Sequence, residues 1–345
     1  MVTVLTVAVV LGVVAFNVTG GFHDAAEITA PSVVTRAIRP ATALVLFAVA
    51  TFLGPFLAGT AVADTIGGFV DLSGLEAGDA LLVVLCGVLG ATAWNVATWW
   101  LRIPSSSTHA LVGGLIGVTI AAAGPSDVVW GIGALADGEV TGVVKILLAL
   151  VLSPVLGLLA GALVLRAARG ALRAAERTAN RLLRRAQVGG TAVLAFAHGA
   201  NDAQKGMGVI ALALVLGGQR PALDVPVWAI VLSVTALIAG GVLGGWGIAR
   251  TLGFGIYRLE PVHGASAQAA SAGIIYGAAL LGGPVSTTQV MGSAITGVGA
   301  GERPRSVRWD TAKTMVIVWV VTVPAAALAG IVSYGVLAGI GWAIA

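Results

Sequence analysis

Four short polar stretches interrupt a chain that is otherwise strongly apolar. They are GFHDAAE at 21–27, PSSSTHALVGG at 104–114, AFAHGANDAQKGMG at 195–208 and PVSTTQVMGSA at 284–294. The first and third carry His23, Asp24, Glu27, His198, Asn201, Asp202 and Lys205. An ionisable group inside a membrane span costs at least about 2.5–3.5 kcal/mol and is functional by default. Asp24 and Asp202 therefore suit cation ligation or proton carriage; an interhelical hydrogen-bond anchor is the plainer alternative. The second and fourth stretches supply Ser106, Ser107, Thr108, Ser286, Thr287 and Thr288 directly after Pro104 and Pro284. Proline interrupts or begins a helix. Hydroxyl residues at a helix start, with free N–H groups and the positive dipole end, suit a tetrahedral oxyanion. N-caps and close helix contacts are the competing use.

The four stretches are two copies of one pattern. His23 aligns with Asn201, Asp24 with Asp202 and Glu27 with Lys205; Ser106, Ser107, Thr108 and His109 align with Ser286, Thr287, Thr288 and Gln289. An incidental aspartate need not recur in the same context, so the duplication favours a functional reading of both acids. Lys205 can neutralise an anion, or pair with its repeat-mate Glu27, which is the preferred reading because each otherwise lacks an evident partner. His23, His109 and His198 suit a proton relay and a polar hydrogen bond to a neighbouring helix equally. Asn95 is placed near the same cavity, and Trp94, Trp99 and Trp100 read as interfacial or packing aromatics.

The elements that position these groups must be membrane helices. Of 345 residues, 58% are hydrophobic and 10% charged, far below the charged share of soluble domains. Apolar runs at 41–62, 80–101, 143–165, 227–249 and 315–345 reach the length that crosses a hydrocarbon core. A β-barrel would show short alternating segments instead. The lone Cys86 excludes a disulfide framework. The N-terminus has no basic n-region and reads as the first membrane helix rather than a cleaved signal.

Arginine placement sets the topology. Arg166, Arg169, Arg173, Arg177, Arg181, Arg184 and Arg185, with Glu176 the one acid among them, mark 166–187 as a basic cytoplasmic segment. It reads as a solvated linker or a helix lying on anionic lipid. Arg36, Arg39, Arg102, Arg250, Arg258, Arg303, Arg305, Arg308 and Lys313 fall inside. Asp64, Asp71, Glu76, Asp79, Asp127, Asp137, Glu139, Asp224 and, against the rule, Arg220 fall outside. The expected fold is an all-α polytopic membrane protein with about ten crossings and both termini outside. Residues 1–165 and 188–345 form two inverted-topology repeats with broken helices or re-entrant hairpins. Residues 3–35 cross either once, as a broken helix, or twice. The basic balance is a positive-inside signal, so no nucleic-acid partner is implied.

The four stretches, in order and in the expected halves, resemble the duplicated signatures of the inorganic phosphate transporter family called PiT. The resemblance runs from about Asn17 to Lys313. It implies a secondary transporter of the plasma membrane that moves phosphate, sometimes as a metal–phosphate complex, with H⁺ or Na⁺. By that resemblance Asp24 and Asp202, with Asn201 and the Ser/Thr stretches, bind phosphate and the coupling ion. Glu27 stands where the family usually has Asn, and Gln289 where it usually has His. Glu27 adds a titratable carboxylate, read here as favouring proton coupling, or else as the mark of a changed substrate.

Phosphate-binding candidates are therefore Asn201, Ser106, Ser107, Thr108, Ser286, Thr287, Thr288 and Lys205; coupling-ion candidates are Asp24, Asp202, Glu27 and His23. No cofactor is expected beyond the coupling ion and a divalent metal carried with phosphate, and the partners are phosphate and membrane lipid. A carrier of similar build for sulfate is the alternative. An intramembrane aspartyl protease on Asp24 and Asp202 lacks a Gly-x-Gly-Asp signature and has no use for the hydroxyl stretches, so an enzyme is not expected.

Overall fold

The computed structural model describes residues 1–173, 179–244 and 255–344. Glu176, Arg177 and Arg250, all used in the charge argument, lie outside the described residues. Among the described residues the regular elements are helical: α1 (Val2–Val34), α2 (Pro40–Ala58), α3 (Ala61–Gly67), α4 (Ala77–Trp100), α5 (Ser107–Ala122), α6 (Gly142–Ala171), α7 (Ala179–Leu216), α8 (Val227–Gly244), α9 (Pro261–Leu280), α10 (Thr287–Glu302) and α11 (Trp309–Ile344), with short 3₁₀ turns between some of them.

Six of these, α1, α2, α4, α6, α8 and most of α11, are long and apolar enough to cross a membrane. Their large apolar side chains, such as Val151, Leu159, Val320 and Val332, stay exposed on the outer surface, as lipid contact requires. α1 is one continuous helix with Pro31 close to its end, so residues 3–35 form neither a broken helix nor a pair. The acidic stretches do not interrupt helices: they lie inside unbroken α1 and α7. The breaks fall at the hydroxyl stretches, where α4 turns into α5 and α9 into α10. At 16 residues each, α5 and α10 extend only about 24 Å, short of a hydrocarbon core.

Much of the basic segment is helical: Arg166 and Arg169 end α6, and Arg181, Arg184 and Arg185 begin α7. On the acidic side, the loops after α3 and α5 meet through Asp71 N–H to Asp127 O (2.8 Å) and Val129 N–H to Phe69 O (2.9 Å).

Helix pairs repeat across the molecule. α1 packs on α8 and α7 on α2; α4 lies against α1 and α9 against α7; α11 covers α5 and α6 covers α10. Glycine permits the closest approaches, since backbones meet where no Cβ intervenes. A Cβ on Gly240 would lie 1.9 Å from Val18 O, and one on Gly199 2.1 Å from Thr51 O. Gly240→Ala is therefore expected to lower stability by about 1–3 kcal/mol, the range for overpacking, read as an earlier thermal unfolding midpoint in detergent. An unchanged midpoint would show that α8 can slide off α1 at little cost.

Among the described residues the core has two large apolar clusters and a small third one around Ala203, Met207 and Leu237. Along α1, Val9, Val13 and Phe16 belong to one cluster and Ala25, Ala26 and Ile28 to the other. Along α7 the division falls between Ala197 and Ala200. The acidic stretches sit at this division.

Candidate functional site

Each hydroxyl stretch builds a helix start. Ser106 caps α5, its Oγ accepting from His109 N–H at 3.2 Å, and Ser286 caps α10 by accepting from Gln289 N–H at 3.4 Å. Satisfying one free N–H this way fixes the first turn. The turn before each cap needs a left-handed residue, and the repeat supplies it twice: Arg102 at φ 57° and Gly282 at φ 68°. Glycine adopts this region freely, whereas a Cβ costs about 1–2 kcal/mol there.

The two helix starts meet tip to tip. Thr108 Oγ1 donates to Val285 O and Thr288 Oγ1 to Ser105 O, both at 3.0 Å, so aligned threonines make reciprocal bonds. Another aligned pair touches, with Gln289 Nε2 3.4 Å from His109 Nε2. Trp94 Nε1 donates to Ser105 Oγ (3.1 Å) and Thr322 Oγ1 (3.0 Å), tying the first tip to α11. Trp94 is thus part of the tip, while Trp99 packs on Phe22 and Trp100 is exposed.

The middle of α7 holds the second tip. Asn201 Nδ2 donates to Gly283 O (2.9 Å) and its Oδ1 accepts from Val285 N–H (3.2 Å), so both amide atoms grip the tip backbone. Asp202 accepts from Lys205 Nζ at Oδ1 and from Thr287 Oγ1 at Oδ2 (2.6 Å), and His198 Nδ1 lies 3.1 Å from Oδ2. Lys205 also donates to Thr108 Oγ1 (2.5 Å) and Val285 O (2.8 Å), reaching both tips from one ammonium. The expected pairing of Lys205 with Glu27 is not formed. A helical side chain leans toward the N-terminus, which aims Lys205 back at Asp202 one turn away.

Asp24 faces the same cluster from α1. Its Oδ2 is 3.9 Å from His198 Nε2, and ligand atoms of Asp24, His198 and Asp202 lie within 4.8 Å of one another. Asp24 Oδ2, both Glu27 oxygens and His198 Nε2 have no hydrogen-bond partner. A buried carboxylate without a donor is completed by a cation or a proton. These free atoms suit a cation on the α1 side, whereas Asp202 is already saturated. Ser107 packs over Gly20, one turn from Asp24, but makes no bond to it comparable with that of Thr287 to Asp202.

Every candidate named above is buried, Glu27 and Asn201 completely. Of the twelve, His23 stands apart: its Nε2 is 3.2 Å from Asn95 O on α4, and Asn95 Nδ2 reaches Thr19 Oγ1 at 3.4 Å. His198 is the residue the sequence reading underweighted; it lies one turn before Asp202, at i, i+4, and that spacing was its visible signal.

The hydroxyl of Thr288 joins the tips and lies beside Glu27. Thr288→Val is expected to cost about 1 kcal/mol for the lost bond and to weaken phosphate binding, while the fold survives. Equilibrium binding to detergent-purified protein checks this, and unchanged affinity removes Thr288 from the site.

Comparison with known proteins decides what this arrangement belongs to. Residues 20–330 match the description "Phosphate transporter family". The chain belongs to the phosphate transporter family. It is similar to the Bacillus subtilis (strain 168) protein named "Probable low-affinity inorganic phosphate transporter", 40% identical over 97% of each chain. A Mycobacterium bovis protein of the same name is 42% identical, over 98% of this chain and 78% of its own. In fold it is similar to a solved structure described as "The sodium-dependent phosphate transporter", with TM-score 0.87 and 22% identity over 98% of this chain and 100% of that one. This phosphate transporter family member is accordingly a multi-pass membrane protein and a transporter rather than an enzyme, which removes the aspartyl protease reading.

Proposed function

We propose that the protein is a secondary transporter of inorganic phosphate, coupled to H⁺ or Na⁺, working by alternating access around the cluster where α1, α7 and the two tips meet. The observation that carries this is the Asp202 carboxylate. It accepts from Lys205, from Thr287 and from the His198 side, and so occupies the place an oxyanion would take among cationic and hydroxyl donors. Incoming phosphate replaces Asp202 at Lys205, Thr108 and Thr287, with the dipole ends of α5 and α10 adding to the attraction. The displaced Asp202 then joins Asp24, Glu27 and His198 in holding the coupling cation or proton. Anion and cation sites are linked through one carboxylate, so neither fills well alone.

In this reading residues 1–165 and 188–345 are the two inverted repeats and 166–187 joins them; the ten helices other than α3 lie in the membrane, with α4 and α5, and α9 and α10, paired as re-entrant hairpins. The α5 and α10 hairpins re-enter from opposite faces. The repeated helix pairing and the reciprocal tip bonds support that arrangement. The arginine-rich face is cytoplasmic, and both termini lie outside. Glu27 adds a titratable carboxylate to the cluster, and on that ground proton coupling is favoured over sodium. The family and named relatives favour phosphate over sulfate.

The test is labelled phosphate uptake into proteoliposomes with pH gradient, sodium and magnesium varied separately. The expected result is uptake driven by an inward proton gradient and resistant to excess sulfate. Uptake that needs sodium and ignores the proton gradient would overturn the coupling assignment, and enhancement by magnesium would place a metal in the cargo.

A further inference from the structure

A cavity of about 1060 Å³ opens on the arginine-rich face, between the end of α1, the start of α7, and the segments before α9 and after α10. Arg36, Arg184, Arg258 and Arg303 line it, with Glu260 and Glu302. Both acids are already engaged. Glu302 bonds Arg169 at 2.5 Å and His263 Nε2 at 2.5 Å. Glu260 caps α9: its side chain accepts from the His263 backbone, while its own N–H donates to His263 Nδ1 at 3.0 Å. That bond makes Nδ1 the acceptor and leaves Nε2–H to donate to Glu302.

None of the four arginines forms an ion pair among the described residues, and all four are exposed to the cavity. The charge asymmetry of the loops explains why arginine lies on this face. It does not explain why four converge on one concavity whose acids are consumed elsewhere. Arg36 is fixed at the mouth by the turn that ends α1, where it sits at φ 57° and Ala37 N–H donates back to Ser32 O at 2.8 Å.

We infer that this cavity is a second anion site, distinct from the central one, that takes a multiply charged phosphate compound. Guanidinium forks bind phosphate oxygens in pairs, and several around one cavity select charge number over a single orthophosphate. The volume is that of a site for a ligand of nucleotide size rather than for one phosphate ion. Lipid phosphate headgroups carry the same chemistry, and the test separates the two sources. Occupancy would tie α1 to the α9 and α10 ends and slow their relative movement. The site itself does not depend on the proposed function; its effect on uptake does.

The probe is inorganic tripolyphosphate, titrated calorimetrically into the full chain in phosphatidylcholine nanodiscs. Wild type is expected to bind it saturably. Arg36→Gln with Arg303→Gln should weaken binding at least about tenfold, as losing charge-assisted bonds implies, with basal phosphate uptake unchanged. Arg220→Gln, on the other face, should bind as wild type, and so should Asp202→Asn, which separates this site from failure of the central one. Discs containing phosphatidic acid discriminate the source: competition in wild type but not in the double variant assigns the cavity to headgroups, and its absence assigns it to the soluble anion. No saturable binding by wild type, or equal binding by the double variant, overturns the inference.

Discussion

Asp202→Asn is expected to reduce phosphate uptake in proteoliposomes below about one hundredth of wild type. Asparagine keeps the shape and can still accept from Thr287, but it removes the charge opposite Lys205 and, in the proposed cycle, the carboxylate that gives way to phosphate. Two charge-assisted bonds worth about 1.5–3 kcal/mol each are altered, and about 2.7 kcal/mol already corresponds to a hundredfold change. The variant must still purify as a folded, monodisperse protein with an unchanged helical spectrum. Wild-type-like uptake would remove Asp202 from the transport cycle and with it the proposed exchange of Asp202 for phosphate.

The second large effect concerns stability. Lys205 is buried, and its ammonium meets Asp202, Thr108 and Val285 O. Lys205→Met deletes one member of a buried pair and leaves the other unneutralised, a change worth about 3–5 kcal/mol of destabilisation. Removing both charges together, as Asp202→Asn with Lys205→Met, should return most of that loss, because matched apolar or neutral replacement of buried pairs is often close to neutral. Chemical or thermal unfolding of the two single variants and the double one gives the coupling directly. If the double variant is no more stable than Lys205→Met, the pair is not the source of the stability and Thr108 or the tip carbonyl is.

How far the sequence could be read depended on the range of the interaction. Long apolar runs announce membrane helices because lipid imposes length and composition locally. α7 escapes that rule. Its middle carries Asn201, Asp202, Gln204 and Lys205, yet it runs unbroken for 38 residues because Asp202 and Lys205 pair with each other one turn apart and all four side chains bond neighbouring segments. Polar groups there looked like a break and are instead a satisfied interior. The alignment of Thr108 with Thr288 was plain in the sequence. That their hydroxyls would each bond the other tip's backbone was not, since it depends on contacts about 180 residues apart. Lys205 shows the opposite failure. Matching it to its repeat-mate Glu27 favoured a symmetric idea over the simpler fact that a lysine reaches one turn back along its own helix. Asn201 looked free to bind substrate and turned out to clamp the Gly283–Val285 turn.

The crossed threonine bonds carry a mechanical corollary. Because each tip supplies a donor to the other and receives one in return, pulling either hairpin away strands a buried carbonyl on both sides at once. Leaving such groups unmet costs about 1–3 kcal/mol apiece, so a dry, half-parted centre is disfavoured relative to the joined form. Within the proposed alternating-access cycle the pair acts as an interlock: it disfavours a partial opening and couples the release of one tip to the release of the other.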